Sequence, residues 1–311
     1  MPLNLPDNLP AIELLRQEHI FVMSDLRAST QDIRPLRLLI LNLMPLKITT
    51  ETDLVRVLSN SPLQVEMDFL GLTTHTPKNT PIEHLQKFYI TFPEIADRFY
   101  DGFIVTGAPV EMLPFREVHY WEELTSIFDW ARAHVTSSFY ICWAAQAALH
   151  HFYGIDKYPL PKKLFGIFEH MVNEPLFPLF RGFDDRFYAP HSRHTTINAD
   201  EIRQRPELTV LSESDKAGVY IISSRGGREF YVTGHSEYAP ITLHNEYMRD
   251  KMKGLNGVEL PQNYYPNNDP SQPPLVRWRS HAHLLYINWL NYFVYQATPF
   301  NAREIALLED L

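Results

Sequence analysis

Cysteine is nearly missing from this chain: Cys142 is the single one in 311 residues. One thiol cannot close an intrachain disulfide or supply a multi-cysteine metal site, so nothing here depends on an oxidising compartment. Positive charge is also scarce. Lys and Arg total 28 against 37 Asp and Glu, for a formal net charge of -9, and no basic cluster exceeds a few residues. Gripping a phosphate backbone needs a basic stripe, so nucleic acid is excluded as a partner. Long apolar runs are absent too, since the stretch from Leu284 to Tyr295 is broken by Asn288 and Asn291 and is too short to span a bilayer. Met1 to Met23 carries Asp7, Glu13, Arg16, Glu18 and several prolines in place of a basic n-region and an apolar h-region. These absences point to a cytoplasmic protein, with no membrane association, whose partners are small molecules or other protein chains.

What is present is globular: 45% hydrophobic and 21% charged residues, with a mean hydropathy of -0.24. The length alone fits one large domain or two ordinary ones. The order of elements narrows the choice. Arg37 to Leu43 is a continuous apolar run, as in a parallel strand buried on both faces. Helical spacing follows over Thr49 to Ser59, then strand patterns over Val65 to Leu70 and Gly102 to Val105. A helix over Glu117 to Ala133 and a strand over Ser138 to Cys142 come next. Such alternation predicts βαβ units and an α/β fold with a mostly parallel sheet flanked by helices. Functional loops then belong at the carboxyl ends of the strands: 42–50, 106–116 and the segment after Cys142. The second half reads as richer in strand, at Leu208 to Leu211, Val219 to Ile222 and Phe230 to Thr233, with helices over Thr242 to Met252 and His281 to Gln296. The division expected is a lead over 1–35, a candidate dimer contact, one domain over 36–300 and a tail over 301–311.

Cys142 sits where Phe139, Tyr140 and Ile141 meet a small-residue helix start, Trp143 to Ala148. That is the sequence form of a nucleophile elbow, in which a thiol on a sharp strand-to-helix turn meets the first helical N–H groups and the positive helix end. A lone cysteine is more often an inert buried hydrophobe, and an HxE pair alone is more often a strand-end ion pair. Together they say more: His235 supplies a base and Glu237, two residues on, leaves the same face of an extended chain and orients it. The histidine pairs His150/His151, His191/His194 and His281/His283 lack the HExxH spacing or a second cysteine, so no metal site is expected.

With these residues in view, the chain resembles the homoserine O-acyltransferases of methionine biosynthesis, whose fold is like that of class I glutamine amidotransferases. The likeness is carried by LILNLMP (Leu39 to Pro45), LSNSPLQV (Leu58 to Val65), IVTGAP (Ile104 to Pro109), CWAAQAAL (Cys142 to Leu149) and RGFDD (Arg181 to Asp185). APHSR (Ala189 to Arg193), VTGHSEY (Val232 to Tyr238) and the run from Trp278 to Gln296 continue it almost to the end. Ala144 stands where amidotransferases proper have glycine in the elbow, while Gln146 is retained.

The resemblance implies an amidotransferase-like homodimer with Cys142, His235 and Glu237 as the catalytic set and Lys163, Ser192 and Arg249 as substrate-binding positions. It also implies L-homoserine as acceptor and an acyl-CoA as co-substrate, with no bound cofactor. Succinyl-transferring relatives have glycine where this chain has Glu111, facing the acyl group. A carboxylate there fills the volume of a succinyl chain and repels its terminal charge, which favours acetyl-CoA. Succinyl-CoA is the alternative donor, and a cysteine-dependent amidase or hydrolase and a non-catalytic metabolite-binding module are the rival readings from other classes.

Overall fold

The computed structural model describes residues 3–5, 9–17, 22–24, 34–77, 79–255, 257–299 and 301–308. Its strands are β1 (Leu3–Leu5), β2 (Val22–Ser24), β3 (Leu36–Leu41), β4 (Val65–Gly71), β5 (Tyr89–Thr91), β6 (Tyr100–Val105), β7 (Val135–Ile141), β8 (Lys157–Val172), β9 (Arg186–Ile197), β10 (Leu208–Ser214), β11 (Gly218–Ser224) and β12 (Glu229–Val232). The α-helices are α1 (Pro10–Gln17), α2 (Lys47–Leu58), α3 (Ile82–Phe88), α4 (Phe92–Ile95), α5 (Trp121–His134), α6 (Trp143–Tyr153), α7 (Ala199–Arg203), α8 (Thr242–Met252) and α9 (Arg279–Asn288).

The strands form one sheet in the order β2-β1-β4-β3-β6-β7-β12-β11-β10-β8-β9, with β5 paired to β4. From β2 to β12 every pair is parallel, and from β12 to β9 every pair is antiparallel. Alternation places the two cores. Leu38 and Ile40 of β3 pack with Leu54, Phe139, Tyr286 and Trp289 on the face covered by α2 and α9, while Leu39 and Leu41 pack with Ile127, Phe128, Tyr140 and Trp143 on the face covered by α5 and α6. The expected strands and helices of the first half are all present within a few residues. The closing helix is not uniform: α9 ends at Asn288 and continues as π-helix over Trp289–Tyr295. There the Trp289 indole donates to Ser137 Oγ at 2.9 Å and fills the space beside Gly102.

The long hairpin β8/β9 is absent from the expected elements. Pro159, Pro161 and Pro190 lie inside its strands and hide their pattern, and the register slips between Pro159 and Leu164, so the β8 prolines fall at a bulge that needs fewer ladder donors. Parts of the 1–35 lead pair into the sheet as β1 and β2, and α1 packs on α2 with Leu9 and Ala11 buried. At the other end, Arg228 Nη1 donates to the carbonyl of Leu308 at 2.7 Å. Among the described residues no helix is long and apolar enough to cross a membrane.

The pairing of β12 with β7 brings Cys142 next to the HxE segment. Glu229 to Val232 of β12 run parallel beside Ser138 to Ile141 of β7, so the carboxyl ends of the two strands, and the loops that leave them, lie side by side.

Candidate active site

Cys142 closes β7 with φ 54° and ψ -114°, and Trp143 starts α6 directly after it. The non-glycine residue is held there because its N–H donates to Val232 O at 2.6 Å, the last carbonyl of β12. From the neighbouring strand β6, Gly107 backs the elbow. A Cβ at Gly107 would lie 3.3 Å from Cys142 Cβ and 3.6 Å from His235 Cε1, so a bare backbone is what lets the three loops meet.

His235 arrives from the end of β12. Its N–H is fixed to Pro190 O at 2.8 Å, its Nδ1 lies 2.7 Å from Glu237 Oε1, and its ring stacks on Tyr238 at 4.2 Å between centroids. The expected HxE geometry differs in one respect. The strand ends at Val232, so a turn, not strand alternation, returns Glu237 to the imidazole. Burial favours the neutral ring. The charges of Cys142 and Glu237, and hydrogen bonds to both, outweigh burial and raise the His235 pKa well above 6.5. The second oxygen of Glu237 has no hydrogen-bond partner among the described residues. Asp53 of α2 reaches the same turn, accepting from the backbone N–H of Ala239 and from Arg56 at 2.7 Å; burial moves its pKa up to about 7.

The loop after β3 is occupied with its own bonds. The N–H of Leu43 donates to Thr106 Oγ1 at 2.8 Å and that of Met44 to Asn42 Oδ1 at 3.1 Å, so these two are not free for an oxyanion. What the loop does bring is a buried side chain, Lys47, whose ammonium donates to Asn42 O. Burial lowers its pKa to about 8, with the charge of Glu51 opposing. Glu51 in turn is held by His84 at 3.0 Å and by the Tyr89 hydroxyl.

On the other side of Cys142, Lys163, Ser192 and Arg249 converge. Lys163 Nζ lies 2.6 Å from Glu246 Oε1, Ser192 Oγ donates to the same oxygen at 2.8 Å, and Arg249 Nη2 is 3.6 Å away while pairing with Asp250 at 2.7 Å. Tyr238 ties this cluster to the histidine. It stacks on His235, and its hydroxyl pKa is raised first by burial and then by the charges of Glu246, Glu237 and Cys142.

Glu111 is bound to β9. Its Oε2 accepts from the His194 N–H at 2.8 Å, and Thr195 Oγ1, 3.3 Å away, makes its shorter bond of 2.8 Å to Gln146 on the first turns of the elbow helix. Arg193, 1% exposed, stands behind, donating to Thr195 O at 2.6 Å; burial lowers its pKa to about 10 against the charges of Cys142 and Glu111. Among the described residues no group of three or more His, Cys, Asp or Glu side chains is arranged to hold a metal ion.

Residues 2–300 match the model of the homoserine O-succinyltransferase family. The chain belongs to that family. A protein of Parabacteroides distasonis named homoserine O-acetyltransferase is 68% identical over 311 residues, all of both chains. One of the same name from Brevibacillus brevis is 60% identical, covering 97% of this chain and 98% of the relative. The fold is also that of a glutamine amidotransferase from Thermotoga maritima, which superposes with a TM-score of 0.54 at 13% identity over 85% of this chain and all of the other. In this homoserine O-acyltransferase family member, the seven residues singled out from sequence comprise Cys142, His235 and Glu237 at the elbow, Lys163, Ser192 and Arg249 around Glu246, and Glu111, which is bonded to β9. Glu246, Asp53, Arg193 and the side chain of Lys47 were not anticipated. Glu246 and Asp53 carried a local signal, the i,i+3 spacing to Arg249 on α8 and to Arg56 on α2.

Proposed function

We propose that the protein transfers an acetyl group from acetyl-CoA to the side-chain hydroxyl of L-homoserine through an acyl-Cys142 intermediate, giving O-acetyl-L-homoserine for methionine synthesis. The observation that carries this reading is the strained cysteine at a helix start, hydrogen-bonded to a histidine that Glu237 holds at 2.7 Å. Imidazolium and helix end both favour the thiolate. The thiolate attacks the thioester carbonyl, the N–H groups at the start of α6 stabilise the oxyanion, and the bond to the CoA sulfur breaks. CoA leaves as a thiol with the proton of His235. The neutral imidazole then takes the hydroxyl proton of homoserine as its oxygen attacks the acyl-cysteine, and the thiolate is regenerated.

Lys163, Ser192 and Arg249 suit the acceptor: two cations for its carboxylate and one hydroxyl, with Glu246 as the counter-charge for its ammonium. Acetyl over succinyl is supported by the carboxylate of Glu111 beside the elbow helix, which repels a second carboxylate, and by the names of the relatives. We read the working form as a cytoplasmic homodimer, whose dimeric state sedimentation of the purified protein checks.

The test is intact mass after mixing with acetyl-CoA or succinyl-CoA, with and without homoserine, for the wild type and Cys142→Ala. An acetyl adduct that the variant lacks and homoserine discharges is the expected result. A succinyl adduct overturns the donor, loss of the adduct to water alone points to a hydrolase, and no adduct with either donor overturns the mechanism.

A further inference from the structure

Beside the elbow, on the flank away from Glu246, lies a pocket of about 260 Å³ between the loops that leave β3 and β4 and helix α3. Its walls are largely apolar, from Leu43, Leu72, Ile82, Leu85, Ile90 and Tyr120. Its polar side is a buried set: Asn42, 1% exposed, with Nδ2 donating to the Tyr89 hydroxyl at 3.0 Å, and Lys47, 5% exposed. Two links join it to the nucleophile. Leu43 N–H is bonded to Thr106, the residue before the Gly107 that touches Cys142 and His235, and the ring of Tyr120 meets that of Trp143 edge-on at 6.2 Å. Another cavity, lined by Arg37, Glu66, Asp68 and Arg98, gathers residues toward the N-terminal ends of β3 and β6, opposite the end that bears the elbow.

We propose that this pocket receives the thioester-bearing arm of the acyl donor, a flexible chain of amides and methylenes, and so sets the direction from which the thioester reaches Cys142. The inference rests on the acyl-transfer reading above. The chemistry fits the lining. Amides and short apolar links need mostly apolar walls with a few fixed polar groups, and an anionic cofactor approaches best past a cation. The volume suits an arm and not a whole nucleotide, whose phosphates and base then lie outside, past His75, which lines the pocket and lies 2.8 Å from His119. The charged cluster at Glu246 is left to the amino-acid acceptor, so each substrate has its own flank.

The experiment compares two donors in the full-length protein by the second-order rate of Cys142 acetylation: acetyl-CoA, and p-nitrophenyl acetate, which has no arm. Leu85→Trp and Ile82→Trp each fill the pocket from α3. The expected result is a roughly tenfold or greater loss of rate with acetyl-CoA, the equivalent of one or two lost buried methylenes, with the p-nitrophenyl acetate rate and the discharge by homoserine unchanged. The unchanged second donor also shows that each variant is folded. Equal loss with both donors, or no loss with either in both variants, overturns the pocket assignment while the acyl-transfer reading stands. Failure of the wild type to take acetyl from acetyl-CoA, with p-nitrophenyl acetate still reactive, overturns the donor itself and the pocket assignment with it.

Discussion

Replacing Cys142 by glycine is expected to leave a more stable protein than replacing it by alanine, the reverse of the usual order. Both variants lack the thiol and its pairing with His235, so they differ only in Cβ. At φ 54° and ψ -114° a side chain is outside the left-handed well as well as the right-handed one. Holding an L-residue there costs about 2–3 kcal/mol, the upper part of the range for strained backbone. Glycine removes that cost. Against it stand the greater freedom of glycine in the unfolded chain, about 0.5–1 kcal/mol, and the loss of one buried carbon packed against Gly107, about 0.8 kcal/mol. The balance favours glycine by about 1 kcal/mol, which for a chain of this size is a rise of about 2 °C in Tm. Urea denaturation of the two variants, with thermal melts beside it, measures the difference. Equal stability, or a more stable alanine variant, would mean that the elbow is not strained, and the geometric argument for a nucleophile held on a forced turn would lose its basis.

Gly107→Ala puts a methyl group 3.3 Å from Cys142 Cβ and forces a shift of a few tenths of an ångström between thiol and imidazole. Acetylation should slow roughly tenfold while the urea midpoint moves little, and an unchanged rate would show that the contact is slack. Glu229, 2% exposed and joined to Arg132 at 2.6 Å and 2.9 Å, anchors the start of β12. Burial raises its pKa, but the Arg132 pairing outweighs burial and holds it below the usual carboxylate value, so its stabilisation is full above about pH 4.5 and lost as pH falls through the lower folded value. Glu229→Gln should cost about 3 kcal/mol in urea denaturation at neutral pH and flatten the acid limb of stability, and a loss under about 1 kcal/mol would refute the pairing. His235 has the opposite sign: its raised pKa gives stability that is full below about pH 6.5 and lost as pH rises through the folded value. In Glu237→Gln the imidazole titration followed by NMR should move to lower pH, and an unmoved titration would separate Glu237 from His235.

The parallel half was legible because its strands announce themselves. LRLLIL in β3 and YDGFIV in β6 are buried on both faces, and their apolar runs end at loops marked by Pro45 and by Gly107 with Pro109. The elbow was legible for the same reason: a strand run meeting a helix of small residues leaves one polarisable side chain at the junction. The hairpin β8/β9 was not. KYPLPKKLFGIFEHMV alternates exposed and buried residues only in part, and its prolines read as breakers where the structure uses them at a bulge.

Depth was the part hidden from the sequence. Lys47 and Arg193 look like ordinary solvated cations, yet each is at most 5% exposed and spends its charge on backbone carbonyls beside the elbow. Their burial comes from the sheet order, since β3 and β9 approach Cys142 from opposite sides only after crossovers and hairpins join segments far apart in the chain. Glu246 is hidden by the same logic. On α8 it is one acid in a polar helix, and its meaning appears only when Lys163 from β8 and Ser192 from β9 come within 2.6 Å and 2.8 Å of the same oxygen. Two cations, Lys163 and Arg249, set against two carboxylates, Glu246 and Asp250, leave a balanced site that an amino acid, carrying both charges, can enter by exchanging one set of ion pairs for another. A neutral acyl acceptor gains nothing there. Under the acyl-cysteine mechanism proposed above, that local charge pattern, read in space, favours an amino acid over water as the acceptor.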